Sequence, residues 1–284
     1  MKKEKIFACF WGILTISGII VVLSVMIHRI NMEKDGFAVK SCVSEQAAVK
    51  MAQTAGLKVS EEGEFDTGDI RMQIVYQLAK RSIVKVIVGD AAGSGTIWKI
   101  EEGIVIVSNR HLLMKDVTAE IVFGNGETVI ADVIGYSQQY DIGFVRIQER
   151  AVTDNVLRDI YEAVPVFYET ESAEAKAAFD AAYPGRRVLQ VGAVMDENTA
   201  AFSSGVIAGL AFVPLFNTKV LVTECYSRAG MSGGGVFDEG GHFLGMISGG
   251  EVPEDAEMRE AEITYSIPSS LIAAEYEMII NEGK

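Results

Sequence analysis

Residues 227–250 read SRAGMSGGGVFDEGGHFLGMISGG and place Ser232 inside a run of glycines. Glycine permits positive φ and close backbone approach, so the run suits either a flexible loop or a tight loop that holds a nucleophile. Residues 230–234 also match the G-x-S-x-G pattern of a nucleophile elbow, which needs parallel βα units and a later acid and histidine. Only His242 follows, within the same predicted hairpin, so the elbow interpretation fails.

A nucleophilic serine needs a base to take its proton and a third group to hold that base. The chain has three histidines. His28 lies beside a long apolar run, and His242 is predicted to be an exposed turn residue. His111 follows an apolar run where a strand should end, and Asp141 lies just ahead of another. Each alone is ordinarily a polar residue at a strand end, but with Ser232 they fall in the order His, Asp, Ser.

Short apolar runs of β character fill the first half of the predicted domain, after an amphipathic helix predicted at 70–82. Asn125-Gly126 lies between two of these runs and is a strong hairpin signal. The runs predict strands at 83–89, 94–100, 103–108, 119–124, 127–136 and 142–147.

A second set of β-type runs follows a predicted helical insert at 171–183, and a closing helix is predicted at 268–284. Short strands with glycine-rich turns are typical of antiparallel sandwiches and barrels. The second set predicts strands at 187–192, 200–211, 219–225, 234–240, 242–249 and 263–268. We therefore predict an all-β fold of two six-stranded antiparallel β-barrels with a C-terminal helix.

The composition limits the class of protein. With 49% hydrophobic residues, the 284-residue chain can bury one sizeable domain or two small ones. Its net charge of −14, without a cluster of Lys and Arg in the sequence, argues against nucleic-acid binding. Its three cysteines, Cys9, Cys42 and Cys225, suit neither a disulfide framework nor a metal site.

The N-terminal segment differs from the rest of the chain. Residues 6–27 carry no charged side chain, and as a helix they would span roughly 30 Å, the thickness of a hydrocarbon core. A cleaved signal peptide is the alternative, but its apolar region would be shorter and would end in a small-x-small site. Lys2, Lys3 and Lys5 precede the run and favour a cytoplasmic N-terminus.

These features predict three parts of the chain. Residues 1–30 are a cytoplasmic tip and one transmembrane helix that anchors the protein in the cell membrane. Residues 31–69 are a polar stalk, and residues 70–284 are an extracytoplasmic domain.

Four local matches resemble the trypsin-like serine peptidases of the double-barrel chymotrypsin fold, and most of all their bacterial HtrA/Deg branch. GSGTIWKIEEGIVIVSNRHLL, residues 93–113, resembles the Gly-Ser-Gly segment, hairpin and strand that lead to the catalytic histidine. YDIGFVRI at 140–147 resembles the Asp-Ile-Ala-Leu-Leu-Lys-Val segment. TECYSRAGMSGGGVF at 223–237 resembles the nucleophile loop, and ITYSIPSS at 263–270 resembles the closing strand and proline. The resemblance covers roughly residues 70 to 278.

The resemblance implies a serine endopeptidase that acts on polypeptides and needs neither a metal nor an organic cofactor. By the matching positions, His111 would be the general base and acid, Asp141 would orient its imidazole, and Ser232 would attack the scissile carbonyl. The backbone N–H groups of Gly230 and Ser232 would form the oxyanion hole.

The same resemblance predicts the substrate cleft. Ser248, Gly249 and Gly250 would line it. Tyr226, six positions before Ser232, stands where trypsins carry the charge that selects basic residues. Because tyrosine is not an acid, we expect a preference for apolar residues.

The sequence also departs from the family. Met231 stands where trypsin zymogens use an aspartate and the HtrA/Deg branch an asparagine, and Ala229 replaces the branch's usual proline. We expect no PDZ domain after the protease domain. The altered loop keeps open an alternative, a catalytically silent protease-fold module that binds peptides or signals. A purely structural surface protein would give no reason for a complete triad.

Overall fold

The computed structural model describes residues 67–100, 103–168, 172–193, 200–251 and 260–282. The predicted anchor, most of the predicted stalk, His28, Cys9 and Cys42 lie outside these ranges. Within them, no helix combines the length and the apolar character needed to cross a bilayer.

The first half of the domain forms a closed six-stranded antiparallel barrel, here barrel 1. Around the barrel the strands follow the order β1-β2-β3-β6-β5-β4. Their bounds are β1 (Ile83–Val88), β2 (Ala91–Ile100), β3 (Ile104–Ser108), β4 (Thr118–Val122), β5 (Thr128–Tyr136) and β6 (Gly143–Ile147). The hairpin predicted at Asn125-Gly126 is confirmed, because it joins the paired strands β4 and β5.

The second half forms another closed antiparallel barrel, here barrel 2, with the order β7-β8-β9-β12-β11-β10. Its strands are β7 (Arg187–Ala193), β8 (Ala200–Val213), β9 (Thr218–Arg228), β10 (Gly235–Asp238), β11 (Phe243–Glu251) and β12 (Glu260–Pro268). The two barrels share one strand order, although the sequence shows no recognisable repeat. The predicted double barrel is confirmed.

Helices precede barrel 1, follow barrel 2 and lie in the connections between strands. They are α1 (Thr67–Ala79), α2 (Arg110–Leu113), α3 (Asp154–Asp159), α4 (Ala173–Ala182) and α5 (Ser269–Glu282). Helix α4 is the predicted insert, and its N-cap Ser172 accepts a hydrogen bond from Ala175 N at 3.0 Å. Helix α5 is the predicted closing helix.

The sequence of strand β3 is an almost continuous apolar run, and the burial of its side chains explains why. Ile104 and Ile106 point into the core of barrel 1, whereas Val105 and Val107 belong to a second cluster between the barrels. Because both faces of the strand are buried, the usual alternation of apolar and polar residues is absent.

The cluster between the barrels joins them to the terminal helices. Trp98 of β2 meets Phe243 of β11 edge to face, with ring centroids 6.2 Å apart. Met72 of α1 and Tyr276 of α5 belong to the same cluster, and Tyr276 packs edge to face on Phe144 of β6. Each large side chain buried there contributes about 1.5–3 kcal/mol, so the interface fixes the relative position of the barrels.

Cys225 of β9 is 2% exposed, and its thiol is free. Burial raises the pKa of this thiol to about 12, so it stays protonated and behaves as a small apolar side chain.

The prediction of an exposed His242 is wrong. The residue is 9% exposed, and its Nδ1 lies 3.1 Å from each carboxylate oxygen of Asp238. Its backbone N–H also donates to Asp238 Oδ1 at 2.9 Å. The turn between β10 and β11 is thus closed by hydrogen bonds between Asp238, the last residue of β10, and His242, the residue just before β11.

We predict that His242→Gln destabilises the fold most at acid pH. The hydrogen bond to Asp238 raises the pKa of His242, against the lowering effect of burial. The protonated ring therefore adds stability that is complete below the unfolded pKa of about 6.5, and that is lost as pH rises through the folded value.

Denaturant unfolding of wild type and variant at about pH 5.5 and about pH 8.5 checks this. The wild type should exceed the variant by on the order of 1 kcal/mol more at the lower pH. A difference independent of pH would contradict the assignment.

Candidate active site

His111 lies on α2, a single helical turn that follows the buried strand β3. Asn109 holds the chain extended between them, with φ −72° and ψ 137°. Leu112 and Leu113 are 5% and 0% exposed, so they fix the turn against barrel 1. The His111 side chain remains 59% exposed.

Asp141 lies in the tight turn that leads into β6. Ser137 shapes this turn, because its N–H donates to Ile142 O at 2.8 Å and its Oγ accepts from Gln139 N and Tyr140 N. The Asp141 side chain is 17% exposed. The turn thus holds a half-buried carboxylate at a fixed place beside α2.

The structure brings His111 and Asp141 together. His111 Nδ1 lies 2.9 Å from Asp141 Oδ2 and 3.1 Å from Oδ1, and the His111 backbone N–H donates to Oδ1 at 2.9 Å. Because a carboxylate only accepts hydrogen bonds, Nδ1 of the neutral ring carries the proton, and the Nε2 lone pair is left to accept one.

Ser232 lies in the loop between β9 and β10, and the loop is tight. Met231 N donates to Arg228 O at 3.1 Å, and Gly234 N donates to Met231 O at 2.9 Å. Gly230 and Gly233 have φ values of 95° and 89°, where a side chain is strained. The glycine run is therefore a shaped turn rather than a flexible linker.

The Met231 side chain anchors this loop to barrel 2. The side chain is 1% exposed and belongs to the core of barrel 2. It packs so closely on β7 that a Cβ at Gly192 would lie 2.7–3.0 Å from Met231 Cα, Cβ and Cγ. The Met231 side chain thus fastens the loop to the core of barrel 2.

Strand β2 of barrel 1 holds the same loop by hydrogen bonds. Ser94 N donates to Ser232 O at 2.7 Å, and Thr96 Oγ1 donates to Gly233 O at 3.1 Å. A Cβ at Gly93 would lie 3.0 Å from Leu112 Cδ2 and 3.2 Å from Ser232 O. Leu112, the neighbour of His111, and the carbonyl of Ser232 therefore both lie beside Gly93. The turn that carries His111 and the loop that carries Ser232 thus meet at one junction of the barrels.

The two predicted oxyanion-hole amides lie on either side of Met231. The carbonyl of Gly230 accepts a hydrogen bond from Ser94 Oγ at 2.6 Å. In the part of the chain that the structure describes, neither Gly230 N nor Ser232 N donates a hydrogen bond.

The predicted cleft residues lie on β11. Ser248 is 8% exposed, sits at a register shift between β11 and β12, and accepts from Asn109 Nδ2 at 2.6 Å. A Cβ at Gly249 would lie 3.1 Å from Phe216 Cζ, and one at Gly250 would lie 2.6 Å from Ala261 Cβ. Glycine at these positions lets the cleft strand pack tightly on its neighbours.

The structure places Tyr226 on the exposed face of β9, where 42% of the residue is accessible. Its neighbour Ser227 is 7% exposed and accepts from Thr264 Oγ1 at 3.0 Å. A Cβ at Gly250 would lie 3.5 Å from Ser227 Oγ. Ser227 is thus the residue of β9 that faces the cleft strand, and alternation along β9 with the buried Cys225 is the sequence signal for it.

A cavity of about 500 Å³ lies apart from these residues, between α1, β1 and the β4–β5 turn. Tyr76, Lys80, Arg81 and Phe123 are among its lining residues. None of the predicted catalytic or cleft residues lines it.

The comparison with known families agrees with this geometry. The model of the trypsin-like peptidase domain matches residues 93–246, more than half of the 284-residue chain. The chain belongs to the trypsin-like peptidase family.

Within that family the similarity is to HtrA-type serine proteases. The serine protease Do-like HtrA of Lactobacillus helveticus is 23% identical over 199 residues, which are 68% of this chain and 44% of that protein. The chain thus spans less than half the length of this curated relative.

Solved HtrA-type structures share the fold. The HtrA-type protease AlgW with a tripeptide has a TM-score of 0.60 at 17% identity, and the match covers 75% of this chain and 64% of that one. A serine-to-alanine variant of AlgW with a decapeptide gives 0.59 at 15% identity, over 75% of this chain and 67% of that one. The family match assigns residues 93–246 to a trypsin-like peptidase domain, and the solved structures show that the fold is shared.

We predict that Gly233→Ala disrupts the loop around Ser232. Its φ of +89° is strained for alanine, and the new Cβ would lie 1.9 Å from Ser94 O. We expect a loss of about 3 kcal/mol in the free energy of unfolding, from the backbone strain and the clash together.

Gly241→Ala is the matched control, because Gly241 has a similar φ of +83° with nothing within 4 Å of the new Cβ. It should cost only about 1 kcal/mol in denaturant unfolding. Equal losses for the two variants would show that Ser94 does not confine the loop.

Proposed function

We propose that this chain is a membrane-anchored, extracytoplasmic serine endopeptidase of the HtrA type, in which His111, Asp141 and Ser232 carry out peptide-bond hydrolysis. The observation that carries the proposal is the paired hydrogen bond from His111 to Asp141, next to a serine loop fastened by both barrels. The peptides in the solved AlgW structures agree with a polypeptide substrate.

In the first half of the reaction, Nε2 of His111 accepts the proton of Ser232 Oγ while that oxygen bonds to the scissile carbonyl carbon. The carbonyl π electrons move to oxygen, which becomes the oxyanion. The imidazolium, stabilised by Asp141, then gives its proton to the leaving amine as the C–N bond breaks, and an acyl-enzyme on Ser232 remains.

In the second half, a water molecule occupies the place of the departed amine. His111 takes one proton from it as the oxygen attacks the ester carbonyl. The tetrahedral intermediate collapses, the bond to Ser232 Oγ breaks, and that oxygen recovers the proton from His111. Both halves need the same Nε2 lone pair, so the tautomer set by Asp141 serves each of them.

The oxyanion would be bound by the N–H groups of Gly230 and Ser232. Support comes from their position on either side of the anchored Met231, and from their having no acceptor among the described residues. One such donor is worth roughly 3 kcal/mol of transition-state stabilisation.

An apolar preference is proposed for the residue before the scissile bond. The β9 residue that faces the cleft strand is Ser227, whose hydroxyl accepts a hydrogen bond from Thr264. Neither residue is charged, so neither offers a carboxylate to a basic side chain of the substrate.

The proposed location depends on residues 6–27. They form an uncharged run of sufficient length to span a bilayer as a helix. Lys2, Lys3 and Lys5 on the N-terminal side favour an orientation that exports the protease domain. The substrate would then be an exported or membrane-proximal polypeptide.

We predict that a fluorophosphonate labels the purified full-length chain on Ser232, and that Ser232→Ala and His111→Ala abolish the labelling. The probe reacts with a serine only when a base activates it. Gel fluorescence and mass spectrometry of the labelled peptide make the measurement.

His242→Ala is the matched control for the histidine, because His242 pairs with Asp238 away from the Ser232 loop, and it should label like the wild type. A cooperatively folded wild type that does not label would overturn the peptidase assignment and favour the silent peptide-binding module. Labelling retained in Ser232→Ala would place the nucleophile elsewhere.

We predict that Asp141→Asn lowers the labelling rate by roughly 10⁴-fold. An asparagine amide can donate to Nδ1, which moves the ring proton to Nε2 and removes the base that Ser232 needs. Asp132→Asn, an exposed position on β5, is the control and should react at the wild-type rate. Comparable rates in the two variants would exclude Asp141 from the mechanism.

A further inference from the structure

Ser94 of β2 is the most highly connected polar residue around the Ser232 loop, and none of the roles above uses its hydroxyl. The residue is fully buried, at 0% exposure. Its N–H donates to Ser232 O at 2.7 Å, and its carbonyl accepts from Ser108 Oγ at 2.7 Å. The backbone of Ser94 is therefore fixed on both sides.

The hydroxyl of Ser94 bridges two segments of barrel 2. It accepts a hydrogen bond from Ala193 N, at the end of β7, at 2.7 Å. It donates its one proton to Gly230 O at 2.6 Å. The hydroxyl thus acts once as a donor and once as an acceptor. Both partners are backbone atoms of barrel 2, across the interface from β2.

The carbonyl of Gly230 belongs to the peptide between the two proposed oxyanion donors. A peptide unit is planar, so a rotation of this carbonyl also turns the Met231 N–H and the adjoining bonds. Gly230 has a φ of 95°, and glycine allows several other conformations at little cost. A specific partner for Gly230 O is therefore needed to select one of them.

One other hydrogen bond holds this peptide: Met231 N donates to Arg228 O at 3.1 Å. Arg228 ends β9 and leads into the same loop, so this bond does not tie the peptide to the opposite barrel. The buried side chain of Met231 and the bond from Ser94 N to Ser232 O could both persist while the peptide between Gly230 and Met231 rotates. Only the Ser94 hydroxyl bonds to the carbonyl of Gly230 among the described residues.

On this geometry, and on the proposed peptidase function, we infer that Ser94 is a positioning residue for the oxyanion hole. It acts through Gly230 and touches neither the substrate nor the reacting atoms. Its hydroxyl sets the orientation of the loop peptide, which aims the N–H groups of Gly230 and Ser232 at the developing oxyanion.

The test compares Ser94→Ala with Thr223→Val in the full-length chain. Thr223 is also fully buried. Its hydroxyl likewise accepts one hydrogen bond, from Gln190 Nε2 at 2.7 Å, and donates one, to Thr264 O at 3.4 Å. Each variant removes one buried hydroxyl with two hydrogen bonds, but only Ser94→Ala releases Gly230 O.

The measurement is the reaction with a fluorophosphonate over a range of concentrations, which separates the maximal rate of bond formation from the half-saturating concentration. We expect Ser94→Ala to lower the maximal rate by ~10-fold to 10²-fold, with little change in the half-saturating concentration. The reason is that removing one oxyanion donor lowers the rate by up to about 10²–10³-fold. Thr223→Val should keep the wild-type rate, and Ser94→Thr, which restores the hydroxyl, should recover most of it.

Three results would overturn the inference while leaving the peptidase function intact. The first is a maximal rate for Ser94→Ala within about twofold of the wild-type rate, and the second is an equal loss of maximal rate in Thr223→Val. The third is a Ser94→Thr variant that has the melting temperature of the wild type but the maximal rate of Ser94→Ala.

Hydrogen exchange supplies a readout that does not depend on activity. Ser94→Ala should speed exchange in residues 229–233 and leave β9 protected, whereas Thr223→Val should leave exchange in residues 229–233 unchanged. If the wild type fails to react at all, the proposed function fails. Unchanged exchange in residues 229–233 of Ser94→Ala would then reject the positioning role separately.

Discussion

The site depends on one constraint, the attachment of the Ser232 loop to strand β2 of the opposite barrel. Hydrogen bonds from Ser94 and Thr96 bind the carbonyls of Gly230, Ser232 and Gly233. The loop belongs to barrel 2, but these three carbonyls are bound from barrel 1. Ser232 and His111, the proposed nucleophile and base, lie on different barrels, so the proposed site needs contacts of this kind, and the Gly-Ser-Gly segment at 93–95 supplies two of them. Its glycines leave room for Leu112 and the Ser232 carbonyl on one side and for the core of barrel 1 on the other.

The fold was largely predictable because its signals are local. Apolar runs, turn glycines and Asn125-Gly126 mark the strands and a hairpin without reference to distant residues. The continuous run in β3 is explained by burial on both faces. The identical strand order of the two barrels was not predictable, because pairing is fixed by backbone hydrogen bonds that accept many different side chains.

The candidate site was predictable to a different degree at each residue. His111 and Asp141 are predictable because one closely follows and the other closely precedes an apolar strand, and the structure brings them into contact. Counting back from Ser232 indicates Tyr226, which lies on the exposed face of β9, whereas alternation along β9 buries Ser227. His242 was misjudged, since a glycine-rich turn suggests exposure and the contact with Asp238 depends on how that turn closes. Ser94 could not be found at all, because its partner Gly230 lies 136 positions away in the chain.

The same arrangement makes the site sensitive to the interface between the barrels. Trp98 and Phe243 pack across that interface, and Trp98 lies on the same strand as Ser94 and Thr96. A small shift of β2 relative to barrel 2 would lengthen all three hydrogen bonds from Ser94 and Thr96 to the Ser232 loop, and hydrogen bonds weaken steeply with distance and angle. The apolar cores inside each barrel would hardly change. Packing at the interface therefore governs the geometry of the Ser232 loop more directly than it governs the stability of either barrel. The loop should lose its arrangement well before the barrels unfold.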